Sequence, residues 1–337
     1  GHEDYQILGT TKLHFDYREE AARALQLRDG ATPRVGSTSS PGLPAVTFSA
    51  PIGSSIELPV DRVLAATQGK LVRSGSHKFS SVTIDSRHVM PGCLFVAVHG
   101  ERHDGHAFLA AAAAAGAAGL LVQSGHGHSL PTQAGLTIIE VGDTVAALGQ
   151  LARAHRDAPE IAGKLRVVAI TGSSGKTTTK DLIAAILTAQ VSDPSEVCKT
   201  DGNLNNHLGV PLTLLKLRPG QRYAVVEMGM SARGEIAYLV SLARPDVGVI
   251  TNVGPAHLET LGTLENIARA KGELFTGLLD GAAAVYLQGP AHVLVQQEAV
   301  RASVLSGRLR NFAALSLRPR EASGQLPPQK PSAGSSV

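Results

Sequence analysis

The sequence predicts an α/β protein: a small amino-terminal α/β domain, then a P-loop-type, doubly wound parallel sheet that stops short of completion, then a disordered carboxyl tail. Three observations carry this. Short, nearly all-apolar runs alternate with stretches of helical spacing. A Gly/Ser-rich loop ending in Lys-Thr-Thr sits between one such run and one such stretch. The composition is that of an ordinary globular chain, with 43% apolar and 18% charged residues among 337. That length suggests about two domains.

The same figures exclude several classes. A net charge of +3 is too small to argue for nucleic acid as a partner. The longest apolar run, Ala107 to Val122, is broken by Gly116 and Gly119 and falls short of the ~18 residues of a membrane span. No signal-peptide pattern is visible. Two cysteines, Cys93 and Cys198, make no disulfide framework, so a reducing cytoplasm is expected.

Five zones follow along the chain. Residues 1–29 are mixed. Residues 30–55 are a Gly/Pro/Ser/Thr linker without apolar period. Residues 56–160 read as the small domain. In it Val82–Ile84, Leu94–Val98, Leu120–Val122 and Thr137–Val141 are strand candidates, with a Pro91-Gly92 turn. His106–Ala118 reads as an Ala-rich helix, and Asp143-Thr144 opens a second helix over Val145–Arg156. Residues 161–286 read as the second domain. Arg166–Ile170, Tyr223–Glu227 and Val247–Thr251 suit parallel strands covered on both faces. Lys176–Leu187, Glu235–Ala243 and Leu264–Leu279 suit helices. Residues 287–337 lose all pattern and read as an irregular tail with a disordered end. The abrupt change also suits a shifted reading frame.

The sharpest local signal is Thr171-Gly-Ser-Ser-Gly-Lys-Thr-Thr-Thr179. Glycines allow the backbone to approach phosphate, and free N–H groups at the helix start point at the anion. Gly172, Ser173, Ser174, Gly175, Lys176, Thr177 and Thr178 are therefore the nucleotide-binding candidates. Lys176 supplies a point charge for the outer phosphates, and the Thr177 hydroxyl can coordinate Mg²⁺. Only two residues separate Gly172 from Gly175, so this is a shortened variant of the usual loop.

With Ile170 to Lys180 in view, the chain resembles the Mur ligases, ATP-dependent amide-bond synthetases of peptidoglycan assembly. The shortened loop agrees with that family. So do Gly202-Asn-Leu-Asn-Asn-His-Leu-Gly-Val-Pro-Leu-Thr-Leu-Leu215, Val225-Val-Glu-Met-Gly-Met-Ser-Ala-Arg-Gly-Glu-Ile236, and Arg244 to Leu258 followed by Ala270-Lys-Gly-Glu273. The branch most similar is the one that joins D-alanyl-D-alanine to UDP-MurNAc-tripeptide. Val82–Arg87, Pro91–Val98 and Asp104-Gly-His106 resemble its UDP-sugar-binding domain. His207 stands where the family usually has an acidic residue. Residues 1–29, with Glu3, resemble the carboxyl end of the ligase that adds the third amino acid, so a truncated piece of a fused two-ligase chain, or of two adjacent genes read as one, is expected, with little turnover of its own.

The resemblance implies ATP and Mg²⁺ as cofactors, and it assigns roles. Thr177 and Glu227 would hold one Mg²⁺, with Glu227 at the carboxyl edge of the sheet, where open α/β sheets bind ligands. His257 would be a ligand of a second. Lys176, His257 and Lys271 would be the catalytic set, Lys271 in carbamylated form. Taken alone, Lys271 reads as a solvated lysine near the start of the last helix. Asn205 and Asn206 would contact phosphate or substrate, or else form turns. Asp85, Ser86 and Arg87 would contact the UDP-sugar, or else form a loop salt bridge. His99, His103 and His106 show no metal-ligand spacing, and Gly125–His128 reads as a solvated loop. Other readings left open are a folylpolyglutamate-synthetase-like ligase, a phosphate-binding remnant without turnover, and a generic P-loop kinase or GTPase.

Overall fold

The computed structural model describes residues 5–8, 11–14, 57–100, 103–127, 134–278, 282–287, 292–301 and 309–312. Strands β1 (Tyr5–Leu8) and β2 (Thr11–His14) form an antiparallel hairpin, which belongs to a unit of its own ending at Ser54. Glu3 and the 30–55 linker lie outside the described residues.

The remaining chain builds two main sheets. The first includes β4 (Lys70–Arg73), β6 (Val82–Thr83), β7 (Leu94–Val96), β8 (Gly119–Gln123) and β9 (Thr137–Val141), in the order β4-β9-β8-β7-β6. Its strands run parallel except β4, which pairs antiparallel with β9 at the edge. Between β4 and β6, β5 (Lys78–Phe79) instead pairs with the short β3 (Leu58–Pro59). The near-continuous burial of Leu94–Ala97 and Gly119–Val122 is what a parallel sheet covered on both faces demands.

The second sheet is parallel throughout: β10 (Arg166–Thr171), β11 (Val197–Lys199), β12 (Tyr223–Glu227), β13 (Val247–Ile250), β14 (Ala283–Leu287) and β15 (Leu309–Phe312), ordered β11-β12-β10-β13-β14-β15. Side chains alternate across it. Val167, Ala169, Ala224, Val226 and Ile250 join the main core beneath helices Glu235–Ala243 and Leu264–Thr276. Ile170, Val225 and Val249 face the other way, against Ile183 and Ala184 of helix Lys176–Thr188. Helices on both faces make it doubly wound, as expected. The chain leaves β10 toward β12 on one side and β13 on the other, so the carboxyl end of β10 is the topological switch point.

Helix Thr144–Arg156 is started by Asp143, whose carboxylate accepts from the N–H groups of Val145 at 2.7 Å and Ala146 at 3.0 Å. Its buried Leu148 and Leu151 enter the same core as Leu239 and Val240. Small-sheet and large-sheet cores therefore run together across it.

Several expectations need correcting. The Ala-rich stretch is a 3-10 turn, Gly105–Phe108, followed by a short helix, Leu109–Ala114. Asp104 caps the turn through the His106 N–H, and Gly116 at φ +99° stops the helix. The last helix of the 161–286 zone ends at Thr276, not Leu279. Gly277 follows, and a Cβ there would lie 2.3 Å from Val240. The expected irregular tail begins too early at 287: His292–Arg301 is helical and Leu309–Phe312 extends the sheet. Residues 313–337 lie outside the described residues.

Candidate nucleotide site

β10 delivers its last residue, Thr171, to the switch point, and helix Lys176–Thr188 leaves from it. The loop between them needs two glycines. Gly172 sits at φ +155°, and a Cβ there would lie 1.8 Å from Thr251 Oγ1. Gly175 precedes the helix at φ +75°, in the left-handed region that side chains other than glycine resist. The N–H groups of the first helical turn have no partner within the helix, and the helix dipole adds positive potential there.

Lys176 folds back so that Nζ donates to the Gly172 carbonyl at 3.0 Å. Burial pushes its amine below the usual lysine range, and the nearby Glu227 charge partly offsets that. Glu227, the last residue of β12, is 2% exposed. Register places it directly beside Ile170, so it emerges next to the loop. Thr177 Oγ1 donates to its Oε2 at 2.9 Å, and Asn205 Nδ2 donates to its Oε1 at 2.9 Å. Thr200 braces the strand end by accepting from the Glu227 N–H at 3.0 Å, while its carbonyl accepts from buried Lys180 at 3.0 Å. Lysine, threonine and buried carboxylate thus meet at one lip of the sheet. This is a set of hard oxygen donors and one cation suited to phosphate with a divalent ion.

Lys271 corrects the expectation of a solvated lysine near a helix start. It lies in the middle of helix Leu264–Thr276 and is 2% exposed. Burial, then the Lys176 charge, lowers its amine to about 7, so the two lysines lie within electrostatic reach of each other. Two residues on, Glu273 accepts from the N–H groups of Gly234 at 2.8 Å and Ala237 at 3.2 Å, capping helix Glu235–Ala243. His257 follows β13 on the same edge as the loop. It adopts φ +65° immediately before the short helix Leu258–Leu261, and its residue is exposed.

Asn205 and Asn206 divide. Asn205 orients Glu227 and takes the Gly229 N–H on its carbonyl at 2.8 Å. Asn206 spends its side-chain oxygen on the N–H groups of Leu208 and Gly209 at the start of helix Gly209–Leu214, the turn-forming alternative. Asp85, Ser86 and Arg87 belong to the other sheet, in the turn after β6. There the Asp85 carboxylate takes Arg87 Nε at 2.9 Å and Nη2 at 2.7 Å, which holds its pKa well below the usual carboxylate range. Such a pair is the loop salt bridge; the guanidinium itself remains exposed.

His106, outside the site, is explained locally. His106 Nδ1 meets Asp104 at 2.7 Å and its Nε2 accepts from the Gln123 N–H at 3.0 Å, which uses both ring nitrogens. Its ring packs against that of His126, tilted by 36° with centroids 4.1 Å apart. Among the described residues no group of three or more potential ligands is arranged for a metal ion, and no helix is long and apolar enough to cross a membrane.

Sequence reasoning missed Thr200, Thr251 and Asn252 as parts of the site. Thr251 Oγ1 donates to the Ser174 carbonyl at 2.6 Å. Asn252 Oδ1 accepts from the N–H groups of Ser173 at 3.1 Å and Ser174 at 3.0 Å. Thr251 and Asn252 carried two signals: they directly follow a buried strand that ends beside the loop, and they lie within the Arg244–Leu258 motif.

Comparison with known proteins accords with this geometry. Residues 78–156 match the Mur ligase family catalytic domain and residues 170–314 the Mur ligase middle domain. The second match runs through the helix and strand found beyond residue 287. The chain belongs to the Mur ligase family. Within it, the chain is 47% identical over 205 residues to the UDP-N-acetylmuramoyl-tripeptide--D-alanyl-D-alanine ligase of Escherichia coli (strain K12), covering 61% of this chain and 42% of that protein. It is 44% identical over 207 residues to the enzyme of the same name from Bacillus subtilis (strain 168), covering 61% and 43%. A crystal structure of MurF from Acinetobacter baumannii superposes with a TM-score of 0.66 at 34% identity, over 77% of this chain and 53% of that one. MurF ligase from Thermotoga maritima in complex with ADP superposes at 0.56, also 34% identical, over 69% and 49%. The chain thus spans under half the length of those two curated relatives.

Proposed function

We propose that this chain carries the ATP- and UDP-sugar-binding portions of a ligase that adds D-alanyl-D-alanine to UDP-N-acetylmuramoyl-tripeptide. The observation that carries the reading is the meeting of Thr177 and Asn205 on the two oxygens of buried Glu227, beneath the Lys176 loop. Relatives of that name and a structural neighbour solved with ADP support it. The reaction this site suits transfers the γ-phosphoryl group of ATP to the tripeptide carboxylate, releasing ADP and leaving an acyl phosphate; the dipeptide amine then attacks the acyl carbon, loses a proton and expels phosphate.

Each residue has a share in that chemistry. The first-turn N–H groups after Gly175, with Lys176, hold the outer phosphates and offset charge on the transferring oxygens. Thr177 and Glu227 fit Mg²⁺, because both present oxygen and the carboxylate is already desolvated and aimed. A divalent ion there would neutralise phosphate charge and fix its geometry. Asn205 keeps Glu227 from turning away. His257 would serve a second ion from the adjacent strand end. Lys271, whose amine burial lowers to about 7 so that a sizeable fraction is neutral at neutral pH, is competent to attack carbon dioxide through its amine nitrogen. It loses a proton and becomes a carbamate, an anionic group that could face the second ion. At the end of β6, Asp85, Ser86 and Arg87 would meet the UDP-sugar, with Arg87 exchanging Asp85 for diphosphate.

Calorimetric titration tests the assignment. Mg²⁺-ATP and UDP-N-acetylmuramoyl-tripeptide are each expected to bind at a 1:1 ratio and not to compete. Lys176→Ala should weaken only the nucleotide, by at least tenfold. Mutual competition, or no saturable binding of either, would refute it.

A further inference from the structure

The segment that follows β13 forms a clamp on the phosphate loop. Asn252 Oδ1 accepts from the N–H groups of Ser173 and Ser174, and Asn252 Nδ2 donates to Ser174 Oγ at 2.7 Å. The Asn252 carbonyl accepts again from the Ser173 N–H at 3.1 Å. Thr251 Oγ1 donates to the Ser174 carbonyl at 2.6 Å. Ser173 Oγ lies between the Gly254 carbonyl at 3.0 Å and the Gly254 N–H at 2.9 Å. Both residues between the two glycines of the loop are thus held through backbone and side chain.

Such a stretch would otherwise be costly to order. Gly-Ser-Ser-Gly has wide conformational freedom, and fixing it opposes phosphate binding at the moment of capture. The Gly172 conformation is matched to the clamp, because any Cβ there would collide with Thr251 Oγ1. A side-chain amide suits the work, since it offers an acceptor and donors without adding charge beside an anion site.

We infer that Asn252 is a positioning residue for the phosphate loop: it occupies the N–H groups of Ser173 and Ser174 and thereby sets the first helical turn, Lys176 included, to face phosphate before nucleotide arrives. The inference rests on the nucleotide reading above. It also gives the loop a physical link to His257, five residues further along the clamp segment.

Two readouts on the whole chain test it. Without nucleotide, the Ser173 and Ser174 amides should exchange slowly in the wild type; in Asn252→Ala the Ser174 amide, held by the side chain alone, should exchange at least tenfold faster, while Ser173 keeps the backbone carbonyl of residue 252. Both should stay slow in Asn252→Asp, which retains the acceptor. Mg²⁺-ADP should bind Asn252→Ala at least tenfold more weakly, with little salt dependence in the deficit. Asn252→Asp should also bind more weakly, because of its charge, but with a deficit that shrinks as salt rises. A general loss of structure would not separate the two variants in this way. Equal Ser174 amide exchange in wild type and Asn252→Ala overturns the inference, as does Asn252→Ala binding ADP as tightly as wild type or more so. Should Asn252→Ala fail to fold, Asn252→Asp decides: slow amides with a salt-sensitive deficit support the clamp, fast amides overturn it. A wild-type chain that does not bind ADP overturns the nucleotide reading, and amide exchange then still decides whether Asn252 holds the loop.

Discussion

Lys271 combines a charged residue type with a site that rejects charge. Its folded amine titrates near 7 against an ordinary value of 10.5. Below pH 7 it is protonated in both folded and unfolded chains, and the folded state carries the burial cost. Between 7 and 10.5 the unfolded chain binds more protons, so stability rises with pH across that window, by up to about 1.4 kcal/mol per pH unit. Thermal melting in carbon-dioxide-free buffer should show the rise between pH 7 and 9, and Lys271→Met should remove it while raising stability at pH 6. An unchanged pH profile in that variant would contradict the assignment. The burial was legible in principle. Ile267, Lys271 and Leu274 fall at helical spacing on one apolar stripe, and all three are buried. The usual preference of lysine for solvent outweighed that spacing. The positions of Lys176 and Thr177 at a helix start follow from the strand–loop–helix pattern, whereas Glu227, fifty residues further on, was singled out through the family resemblance. The Asn252 clamp was not legible, because its partners lie 78 and more residues away and no local period announces such a contact.

Among the elements, long apolar runs were read almost to their ends. Tyr223–Glu227 and Thr137–Val141 match their predicted limits, since interior parallel strands must be apolar on both faces. Short strands were not resolved: Lys70–Arg73 and Val197–Lys199 lie at sheet edges, carry lysine and are half exposed. The helix and strand after 287 were missed because a linker-like composition surrounds them. One junction between elements decides how the sheets connect. Arg156, 8% exposed at the end of helix Thr144–Arg156, donates from Nε to the Ala243 carbonyl at 2.9 Å and from Nη2 to the Arg244 carbonyl at 3.1 Å. It caps helix Glu235–Ala243 with positive charge where the dipole favours it. Arg156→Met keeps much of the packing but strands these carbonyls, while Asp157 keeps Arg153 and Arg244 as partners. Chemical denaturation should show a loss of about 2 kcal/mol, and a loss below the error of the measurement would show that the cap is dispensable.

At the scale of the whole molecule, two sheets have continuous cores, and under the proposed function their carboxyl edges would meet different ligands. The large sheet offers a phosphate loop at its switch point, and the small one offers the Asp85–Arg87 turn. Fold class and family were readable from four motifs in order, because those motifs encode backbone geometry as well as chemistry. How the two ligands would be brought together was not readable, since it depends on contacts between segments far apart in sequence. On the proposed reading, Glu227 and Thr177 would hold a divalent ion that supplies positive charge to the nucleotide phosphates. Calorimetry of ADP binding with and without Mg²⁺, in wild type and Glu227→Gln, tests it most directly. The amide keeps the shape and the Thr177 contact but loses the charge. Mg²⁺ should tighten ADP binding at least tenfold in wild type and by less than twofold in Glu227→Gln, with metal-free affinity similar in both. An undiminished Mg²⁺ effect in Glu227→Gln would contradict the account.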